Sequence, residues 1–537
     1  MRGADLLVQT LVKAGVSRIF TLSGNQIMPV YDALIDTGIA IVHTRHEASA
    51  VFMADCWAQL TGEIGVALVT AAPGFGNALG PLYTATGSES PVLLLSGDAP
   101  VAQDGRGAFQ ELDQVAVSAP LTKLASRLTS VENVAVETAN AIRVARSDRP
   151  GPVHLALPFD VLKATVNAPD VELDFSAQSA PSLPDQAELT AITDAFAAAA
   201  APVILTGPAL NGTRATDQLE ALEKALNVPV IAMESPRGLN DPSLGAIAQV
   251  LAKSDLILCL GKRVDFTLSF GSDEKFGPQR KWIVVDAEQS ACEMASRNLA
   301  DKLIRAVQAE PGAVAKALST APGTPPDRSS WIDAAKNLIR VRSYTAPPTS
   351  ADKEITSLTL CAAVQRQIES TPQSVLICDG GEFGQWAQAA LEADERVING
   401  TAGAIGGVLC YALAARCARP DAAIFALMGD GTVGFQFAEF ETAVREKLPF
   451  VVVIGNDRCW NAEHQIQLRD YGPERLIGCQ LSDARYDLAV VGLGGHGEYV
   501  TDPNELDDAL SRALHSGLPA CVNVRIKGLP APTVSTK

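Results

Sequence analysis

The chain has 537 residues, of which 47% are hydrophobic and 19% are charged, and its formal net charge at pH 7 is −18. This length exceeds what one hydrophobic core serves and predicts three or four domains of roughly 150 residues each. The negative charge argues against nucleic-acid binding, which needs clustered Lys and Arg, and no apolar run reaches the about 20 residues of a membrane span, so a small-molecule partner fits better.

The N-terminal stretch MRGADLLVQTLVKAG alternates charged and apolar residues with helical period. It lacks the uninterrupted apolar core and the cleavage site of a secretory signal, so we expect a cytoplasmic protein. The ten cysteines form no C-x-x-C pair, and several fall inside apolar runs such as LILCLG. They predict buried, reduced thiols rather than disulfides or zinc ligands.

Short runs of Val, Ile and Leu alternate with amphipathic helical stretches along almost the whole chain. Examples are IGVALVTAAPG before PVLLLSGD, APVILTG before LEALEKALNVPVIAM, and AAIFALMGDG before FVVVIGND. This alternation predicts parallel sheets that are covered by helices. In such sheets the ligands bind outside the carboxyl ends of the strands, where these runs end in Gly or Asp turns.

Near its start the chain contains HTRHEASAVFMADCWAQLTG, in which a predicted helix begins at Glu47. Small or apolar residues follow at helical spacing, including Ala50, Ala54 and Ala58. Taken alone, Glu47 is a carboxylate at a helix start, where the helix dipole favours negative charge.

Two segments rich in Pro, Ser and Ala, at 166–186 and 319–354, interrupt the alternation. Segments of this composition cannot build a core and predict linkers. They divide the chain into three α/β units at 1–168, 185–330 and 350–537. We find no short-period repeat, which argues against a solenoid.

In the third unit, LMGDGTVGFQFAEFETAVREKLPFVVVIGNDRCWN contains a Gly-Asp-Gly turn, an amphipathic helix, a buried strand and a second polar turn. The helix and strand return the chain to the same sheet edge, so Asp430 and Asp457 should converge there. Two hard oxygen ligands beside backbone N–H groups suit Mg²⁺ that carries a diphosphate. Each turn alone could be an ordinary strand end, but the pair together with Asn456 favours a metal and phosphate site.

With these motifs the sequence resembles the thiamine diphosphate-dependent decarboxylases, lyases and carboligases, which include acetolactate synthase, pyruvate decarboxylase, benzaldehyde lyase and 2-hydroxyacyl-CoA lyase. The resemblance spans nearly the whole chain. The family motif is GDG, a spacer and Asn-Asn, and here GDG and Asn-Asp occupy those places. The resemblance implies an α/β protein of three doubly wound parallel-sheet domains. These are an N-terminal pyrimidine-binding domain (1–168), a central domain (185–330) and a C-terminal diphosphate-binding domain (350–537).

The resemblance also implies thiamine diphosphate and Mg²⁺ as cofactors. Asp430 and Asp457 would be the side-chain ligands of the metal, and Cys459 would add its backbone carbonyl. Having Asp at 457 departs from the family's Asn and places an extra negative charge near the diphosphate. Glu47, at the end of the family's R/H-H-E stretch, would bind the pyrimidine ring and share a proton with it.

Two further stretches resemble cofactor-contacting parts of the family. In GTAGAIGGVLCYALAAR, Gly403 resembles the residue whose carbonyl receives the cofactor's amino group, and Ile405 resembles the apolar wedge beneath the bent cofactor. Alone, this stretch reads as a Gly-rich turn before a buried helix. TAAPGFGN matches a Ser/Thr-x-Gly-Pro-Gly loop in which Ala72 replaces a glycine. The other cofactor-binding residues implied are Pro73, Asn77, Gly429, Gly431, Thr432, Trp460 and Asn461.

Four candidate catalytic residues other than Glu47 lie where related enzymes contact substrate. Asn25 and Gln26 fall in a turn where benzaldehyde lyase has a histidine, and Gln cannot shuttle a proton near neutral pH as His does. Gln110 lies in FQELD, which matches an active-site loop, although it could be a structural cap. Glu463, in CWNAEHQIQ, is a candidate proton relay, or else a solvated helix carboxylate.

The middle unit bears on the substrate class. GKRVDFTLSFG reads more like the middle domain of hydroxyacyl-CoA lyases than that of acetolactate synthase, so FAD is not expected. Lys262, Arg263, Arg280 and Lys281 could contact the ADP part of CoA or could be solvated surface. The DGRGAFQ loop lacks the His-His pair of pyruvate decarboxylase, which argues against simple acetaldehyde release.

The sequence therefore predicts a thiamine diphosphate and Mg²⁺ enzyme that makes or breaks a C–C bond next to a carbonyl. The substrate would be a 2-oxo acid or a 2-hydroxy carbonyl compound. The first hypothesis is an acetolactate synthase-like enzyme. Glu47 and Asp430 lie in different domains, so we expect a homodimer or a dimer of dimers. Substrate and reaction direction stay open.

Three alternatives remain at the level of sequence. A 2-hydroxyacyl-CoA or oxalyl-CoA type lyase belongs to the same family. A non-catalytic cofactor-binding member is a different class, and the presence of Glu47 argues against it. An NAD-binding oxidoreductase is weaker, because no G-x-G-x-x-G follows a strand with an acidic residue at the right distance.

Overall fold

Three parallel β-sheets follow one another along the chain and pack against helices. The structure is a computed structural model, and the residues it describes are 1–167, 173–175, 182–321, 323–342 and 354–534. The predicted fold class is confirmed, whereas much of both predicted linkers lies outside the described residues. Within the described part of the chain, no helix is long and apolar enough to cross a membrane.

The N-terminal unit is a six-stranded sheet with the order β2-β1-β3-β4-β6-β5, in which every ladder is parallel. Its strands are β1 Arg18–Thr21, β2 Ala40–His43, β3 Gly65–Val69, β4 Val92–Asp98, β5 Leu124–Arg127 and β6 Val153–Pro158. Its helices are α1 Gly3–Lys13, α2 Met28–Ala33, α3 Glu47–Thr61, α4 Pro73–Gly87, α5 Gln114–Ser118, α6 Val134–Arg146 and α7 Phe159–Lys163.

The central unit is a five-stranded parallel sheet with the order β11-β10-β9-β7-β8. Its strands are β7 Pro202–Thr206, β8 Val230–Ala232, β9 Leu256–Leu260, β10 Lys281–Asp286 and β11 Leu303–Gln308. Its helices are α8 Gln186–Ala198, α9 Thr216–Leu226, α10 Ile247–Lys253, α11 Asp273–Phe276, α12 Gln289–Leu299, α13 Pro311–Ser319 and α14 Ser329–Ile339. Helix α14 crosses the predicted boundary at residue 330 and packs on the core of this sheet through Ala335.

The C-terminal unit is a six-stranded parallel sheet with the order β13-β12-β14-β15-β17-β16. Its strands are β12 Ser374–Cys378, β13 Glu395–Ile398, β14 Ala423–Gly429, β15 Val451–Asn456, β16 His496–Val500 and β17 Ala520–Arg525. Its helices are α15 Ser357–Glu369, α16 Gly381–Ala390, α17 Val408–Ala418, α18 Asp430–Val433, α19 Glu439–Arg445, α20 Asn461–Asp470, α21 Tyr486–Gly492 and α22 Leu506–His515.

Helices α3 and α17 join the N-terminal and C-terminal units. The two helices pack in one hydrophobic core, and the ring of Phe52 lies against Gly407, the glycine just before α17. Phe52 and Tyr411 form an edge contact with ring centroids 6.0 Å apart. The Tyr411 hydroxyl donates a hydrogen bond to the fully buried carboxylate of Asp55. The helix that begins at Glu47 is therefore seated directly on the C-terminal unit.

The central unit contacts both of its neighbours through the segment before α9. The guanidinium of Arg214 donates to the carbonyl of Glu89 and to the hydroxyl of Ser90, both at 3.1 Å, in the N-terminal unit. The adjacent Thr213 hydroxyl donates to the carbonyl of Arg396 at 2.8 Å, in the C-terminal unit. All three units are thus linked by polar contacts at one junction.

A buried histidine links strand β6 of the N-terminal sheet to β4 and to helices α4 and α5. His154 on β6 is fully buried, and its two ring nitrogens hydrogen-bond the hydroxyls of Ser96 and Ser118, each at 2.8 Å. The ring also packs on Phe75 of α4, with centroids 4.8 Å apart. Burial lowers the pKa of His154 to about 3, so the ring is neutral in the folded protein.

Candidate cofactor and active site

The two aspartate turns lie side by side at one edge of the C-terminal sheet. Strands β14 and β15 are parallel neighbours, and their register sets Gly429 opposite Gly455. Asp430 follows the first strand and opens α18, whereas Asp457 follows the second strand. The parallel register therefore brings together two carboxylates that the sequence separates by a helix and a strand.

The carboxyl groups of Asp430 and Asp457 lie close enough for the charge of one to affect the pKa of the other. Burial raises the pKa of both, and the negative charge of Asp430 raises the pKa of Asp457 further. One oxygen of Asp430, Oδ2, is buried and has no hydrogen-bond partner in the described residues. Two neighbouring buried carboxylates need a proton or a cation to offset their negative charge.

This donor set fits Mg²⁺. An orphaned buried carboxylate oxygen is a free metal ligand, and Mg²⁺ is usually held by one or two carboxylates plus phosphate oxygens and water. The described residues hold no cluster of three or more His, Cys, Asp or Glu side chains that could form a complete protein cage. Asp430 and Asp457 would hold the ion together with the backbone carbonyl of Cys459.

A pocket of about 100 Å³ opens beside this pair, and we call it the GDG pocket. It is lined by Gly380, Gly381, Glu382, Phe383, Ile405, Gly429, Asp430, Gly431, Thr432, Gly455, Asp457, Cys459, Trp460, Asn461, Ala462 and Glu463. The Trp460 ring lies so close to Gly431 that an added Cβ would come within 2.8 Å of it. A glycine is therefore required at this point of the turn.

Most of the cofactor-binding residues predicted in the C-terminal unit line this pocket. Two of the predicted residues, Gly403 and Glu463, lie outside the pocket or at its margin. Gly403 is exposed, has a φ of +67° and lies in the same loop as Ile405 but outside the lining. Glu463 is exposed at the pocket margin, in the first turn of α20.

Sequence reasoning missed the wall formed by the end of β12 and the start of α16. Glu382 lines the GDG pocket, burial raises its pKa, and its Oε2 is buried without a hydrogen-bond partner in the described residues. Phe383 lies under Gly455, where an added Cβ would meet its ring at 2.5 Å. The strand-end stretch CDGGEFGQW was a visible signal, because ligands bind beyond strand ends.

On the N-terminal unit, Glu47 stands at the first position of α3. His46 caps this helix by accepting the N–H of Ala48 at 3.1 Å, and Gly62 ends it in the left-handed conformation. The half-buried Glu47 carboxylate accepts a hydrogen bond from the Asn77 amide at 2.9 Å. Residues 73–77 begin α4, so the predicted Pro73 and Asn77 lie on the helix that faces Glu47.

A second set of polar groups lies on the same unit, and we call it the amide cluster: Gln26, Thr70 and Gln110. The Thr70 hydroxyl donates to Gln26 Oε1, and Gln26 Nε2 donates to Gln110 Oε1, both at 2.7 Å. Gln26 is 5% exposed, whereas Asn25 is exposed. Gln110 has a φ of +60°, which is strained for a non-glycine residue. Two predicted substrate residues thus touch each other.

The candidate site consists of two separate halves in one chain. All residues that line the GDG pocket belong to the C-terminal unit, whereas Glu47 and the amide cluster belong to the N-terminal unit. A pocket of about 100 Å³ is smaller than the roughly 300–1,000 Å³ typical of small-molecule sites. It suits one end of a ligand.

A larger cavity of about 360 Å³ lies between the N-terminal and central units, at the carboxyl ends of β7 and β9. Its buried cation, Arg149, forms ion pairs with Glu89 and Asp286. Glu89 and Glu310 also accept backbone N–H groups at the starts of the helical turns that line it. Carboxylates of the protein therefore neutralise the charge of Arg149 within this cavity.

Three of the four basic residues that sequence suggested for a nucleotide have protein partners. The ammonium of Lys262 is buried and donates to the Thr267 hydroxyl at 2.7 Å. Arg263 forms an ion pair with Glu288 at 2.7 Å. Arg280 donates to the carbonyls of Ala252 and Phe276 at 2.8 and 3.1 Å, and Lys281 is exposed.

Comparison with known proteins agrees with this geometry. Three family models match the chain: "Thiamine pyrophosphate enzyme, N-terminal TPP binding domain" at residues 1–117, the central domain at 189–300 and the C-terminal TPP binding domain at 379–524. "Acetolactate synthase large subunit IlvG" of Mycobacterium tuberculosis is 30% identical over 534 residues, which cover 98% of this chain and 95% of that protein.

Lyases are equally similar. "2-hydroxyacyl-CoA lyase 2" of Homo sapiens is 30% identical over 579 residues, which cover 98% of this chain and 90% of that protein. The protein of the same name from Danio rerio is 30% identical over 565 residues, which cover 95% and 89%. With all three domains matched and relatives aligned over nearly its full length, the chain belongs to the thiamine pyrophosphate enzyme family.

Proposed function

We propose that the chain is a thiamine diphosphate- and Mg²⁺-dependent lyase or carboligase that makes or breaks a C–C bond next to a carbonyl. The observation on which this rests is that Asp430 and Asp457 both line the GDG pocket, where the buried Asp430 Oδ2 has no hydrogen-bond partner in the described residues. The substrate would be a 2-oxo acid or a 2-hydroxy carbonyl compound, as in acetolactate synthase-like enzymes.

Different residues of the chain would bind the metal and hold the proton. Asp430, Asp457 and the carbonyl of Cys459 would hold Mg²⁺ and, through it, the diphosphate. Glu47 would hold a proton at the pyrimidine nitrogen, since it is a half-buried carboxylate on an otherwise buried helix. When bound, thiamine diphosphate supplies the nucleophilic carbon and the electron sink for the substrate.

The substrate side would be formed by neutral donors and one carboxylate. The amide cluster offers hydrogen bonds that do not change with pH near neutrality, so it would orient a carbonyl or hydroxyl oxygen rather than move a proton. Glu463, exposed at the pocket margin, would move the proton. Asn25 would contact substrate from its exposed turn.

A complete site would then need two copies of the chain. The GDG pocket is small and is lined by one unit only, and Glu47 lies outside its lining. We infer that the N-terminal unit of a second copy covers the GDG pocket, which gives a homodimer or a dimer of dimers.

A 2-hydroxyacyl-CoA type lyase is the second candidate, because relatives of that name match the chain as extensively as the acetolactate synthases do. A screen separates the two. Protein loaded with thiamine diphosphate and Mg²⁺ is incubated with 2-oxo acids or with 2-hydroxyacyl-CoAs, and products are identified by mass spectrometry. Asp430→Ala protein is the control. Turnover of neither class by loaded, folded protein would contradict the proposal.

A further inference from the structure

The loop at 400–407, which presents Ile405 to the GDG pocket, is held on both sides of that residue. Before it, the amide of Asn399 donates to the carbonyl of Ala404 at 2.9 Å. After it, the carboxylate of Asp379 accepts the N–H of Gly406, with its two oxygens at 3.2 and 3.0 Å. Both peptide groups that flank Ile405 are therefore fixed by buried side chains.

Asp379 connects two parts of the site, the backbone after β12 and the loop that carries Ile405. It directly follows β12, is 0% exposed, and accepts the N–H of Gly380 at 2.8 Å in addition to that of Gly406. Burying a carboxylate is costly, and here no cation pairs with it among its hydrogen-bond partners in the described residues. Its observed role is geometric, because it holds the N–H groups of Gly380 and Gly406 in place.

Close packing leaves Ile405 little freedom. An added Cβ at Gly380 would lie 3.0 Å from Ile405 Cγ2 and 2.8 Å from Asn399 Nδ2, so Ile405 rests directly on the backbone after β12. Gly406 has a φ of +83°, and an added Cβ there would come within 2.5 Å of Phe435. The direction of the Ile405 side chain therefore depends on the two hydrogen-bonded clamps around it.

We propose that Asp379 is a positioning residue, whose carboxylate, opposite the Asn399 amide, fixes the peptide groups around Ile405 and so directs this side chain into the GDG pocket. The proposal rests on the proposed function, in which Ile405 supports the bent thiamine diphosphate. Asp379 does not touch the pocket itself, since it is absent from the residues that line it.

The first test uses the protein without cofactor. In Asp379→Ala, the backbone amide of Gly406 should exchange with deuterium about tenfold faster, the factor that corresponds to one lost hydrogen bond. In Asp379→Asn the amide oxygen can still accept both glycine N–H groups, so exchange should stay near that of the wild type. Ser374→Ala, at the other end of β12, is the matched control, because it loses its bond to Asp394 far from the loop.

The second test uses protein loaded with thiamine diphosphate and Mg²⁺. Calorimetry should give a cofactor Kd within about threefold of the wild type in Asp379→Ala, because the metal ligands are untouched. Exchange of the cofactor's C2 proton, followed by NMR, should slow by about 100-fold, as expected when a misplaced side chain spoils the reactive geometry. Asp379→Asn should restore it. If Asp379→Ala does not fold, Asp379→Ser, whose side chain is too short to reach the N–H of Gly406, is measured with the same two readouts.

The outcomes separate the two claims. Unchanged exchange at Gly406 in Asp379→Ala, or a freed Gly406 with normal C2 exchange, would overturn the positioning role while leaving the proposed function intact. A wild-type protein that binds no thiamine diphosphate would overturn the proposed function and the positioning role with it. Slow C2 exchange with normal cofactor affinity and rescue by Asp379→Asn would establish the role.

Discussion

Glu47 is the residue on which the proposed proton chemistry depends. Its carboxylate stands at a helix start, accepts the Asn77 amide at 2.9 Å and lies within 3.1 Å of the position of a Cβ added at Gly74. We predict that Glu47→Gln leaves cofactor binding nearly unchanged but slows C2 proton exchange by about 100-fold or more, because the amide keeps the shape and cannot share the proton. NMR of the loaded protein measures this, and an unchanged rate would exclude the role.

The negative charges of Asp430 and Asp457 lead to opposite predictions for cofactor binding when each residue is replaced. Asp430→Ala should weaken Mg²⁺-dependent binding of thiamine diphosphate by more than the roughly 10- to 100-fold that follows loss of an outer partner of a metal ligand. Asp457→Asn should instead bind at least as tightly as the wild type, because one negative charge beside the diphosphate disappears and the oxygen ligand stays. Calorimetry at fixed Mg²⁺ decides, and markedly weaker binding in Asp457→Asn would mean that Asp457 is misassigned.

At the scale of elements, the sequence predicted the strand ends better than the loops. The Val-rich runs and the GDG turn were enough to place Asp430 beside Asp457, because parallel neighbours end at the same edge. The contact of Gln26 with Gln110 could not be predicted from sequence. It depends on a φ of +60° at Gln110, and a glutamine in the sequence gives no sign of that backbone conformation. The role of Asp379 was not predicted for a similar reason, because only the folded loop brings the N–H of Gly406 to its carboxylate.

The burial of His154 on β6 predicts that the stability of the fold depends on pH. Its pKa falls from near 6.5 when unfolded to about 3 when folded. Between pH 6.5 and pH 3 this histidine is protonated in the unfolded chain but not in the folded chain. The free energy of unfolding therefore decreases as the pH falls below about 6.5, by about 1.4 kcal/mol per pH unit from this group. His154→Gln should therefore show a lower Tm at pH 7 but a flatter decline towards pH 4.5.

Differential scanning fluorimetry from pH 7.5 to 4.5 measures both proteins side by side. Because other carboxylates titrate in the same range, the quantity that matters is the difference between the two curves. His515→Gln, which alters an exposed histidine, is the matched control and should follow the wild type. Parallel curves for His154→Gln and the wild type would contradict a neutral buried ring.

At the scale of the whole molecule, the two halves of the site predict complementation between inactive chains. Glu47→Gln and Asp430→Ala proteins are mixed, dissociated and reassociated. If each site takes Glu47 from one copy and Asp430 from the other, half of the dimers are hybrids with one intact site, and roughly a quarter of wild-type activity should return. Native mass spectrometry verifies that hybrids form. Hybrids without activity would mean that each chain builds its own site.

The contacts of Arg214 and Thr213 limit how this architecture can be recombined. Arg214 binds the backbone and hydroxyl of Glu89 and Ser90, and Thr213 binds the backbone at Arg396. A chimera that takes its central unit from a relative would keep the hydrogen bonds to the backbone wherever the donor supplies the same two side chains. It would also keep the bond to Ser90 on the same condition, because Ser90 belongs to the N-terminal unit, which this chimera retains. Exchange of the central unit therefore depends on the side chains at its boundaries, which include this junction and the ion pair between Arg149 and Asp286.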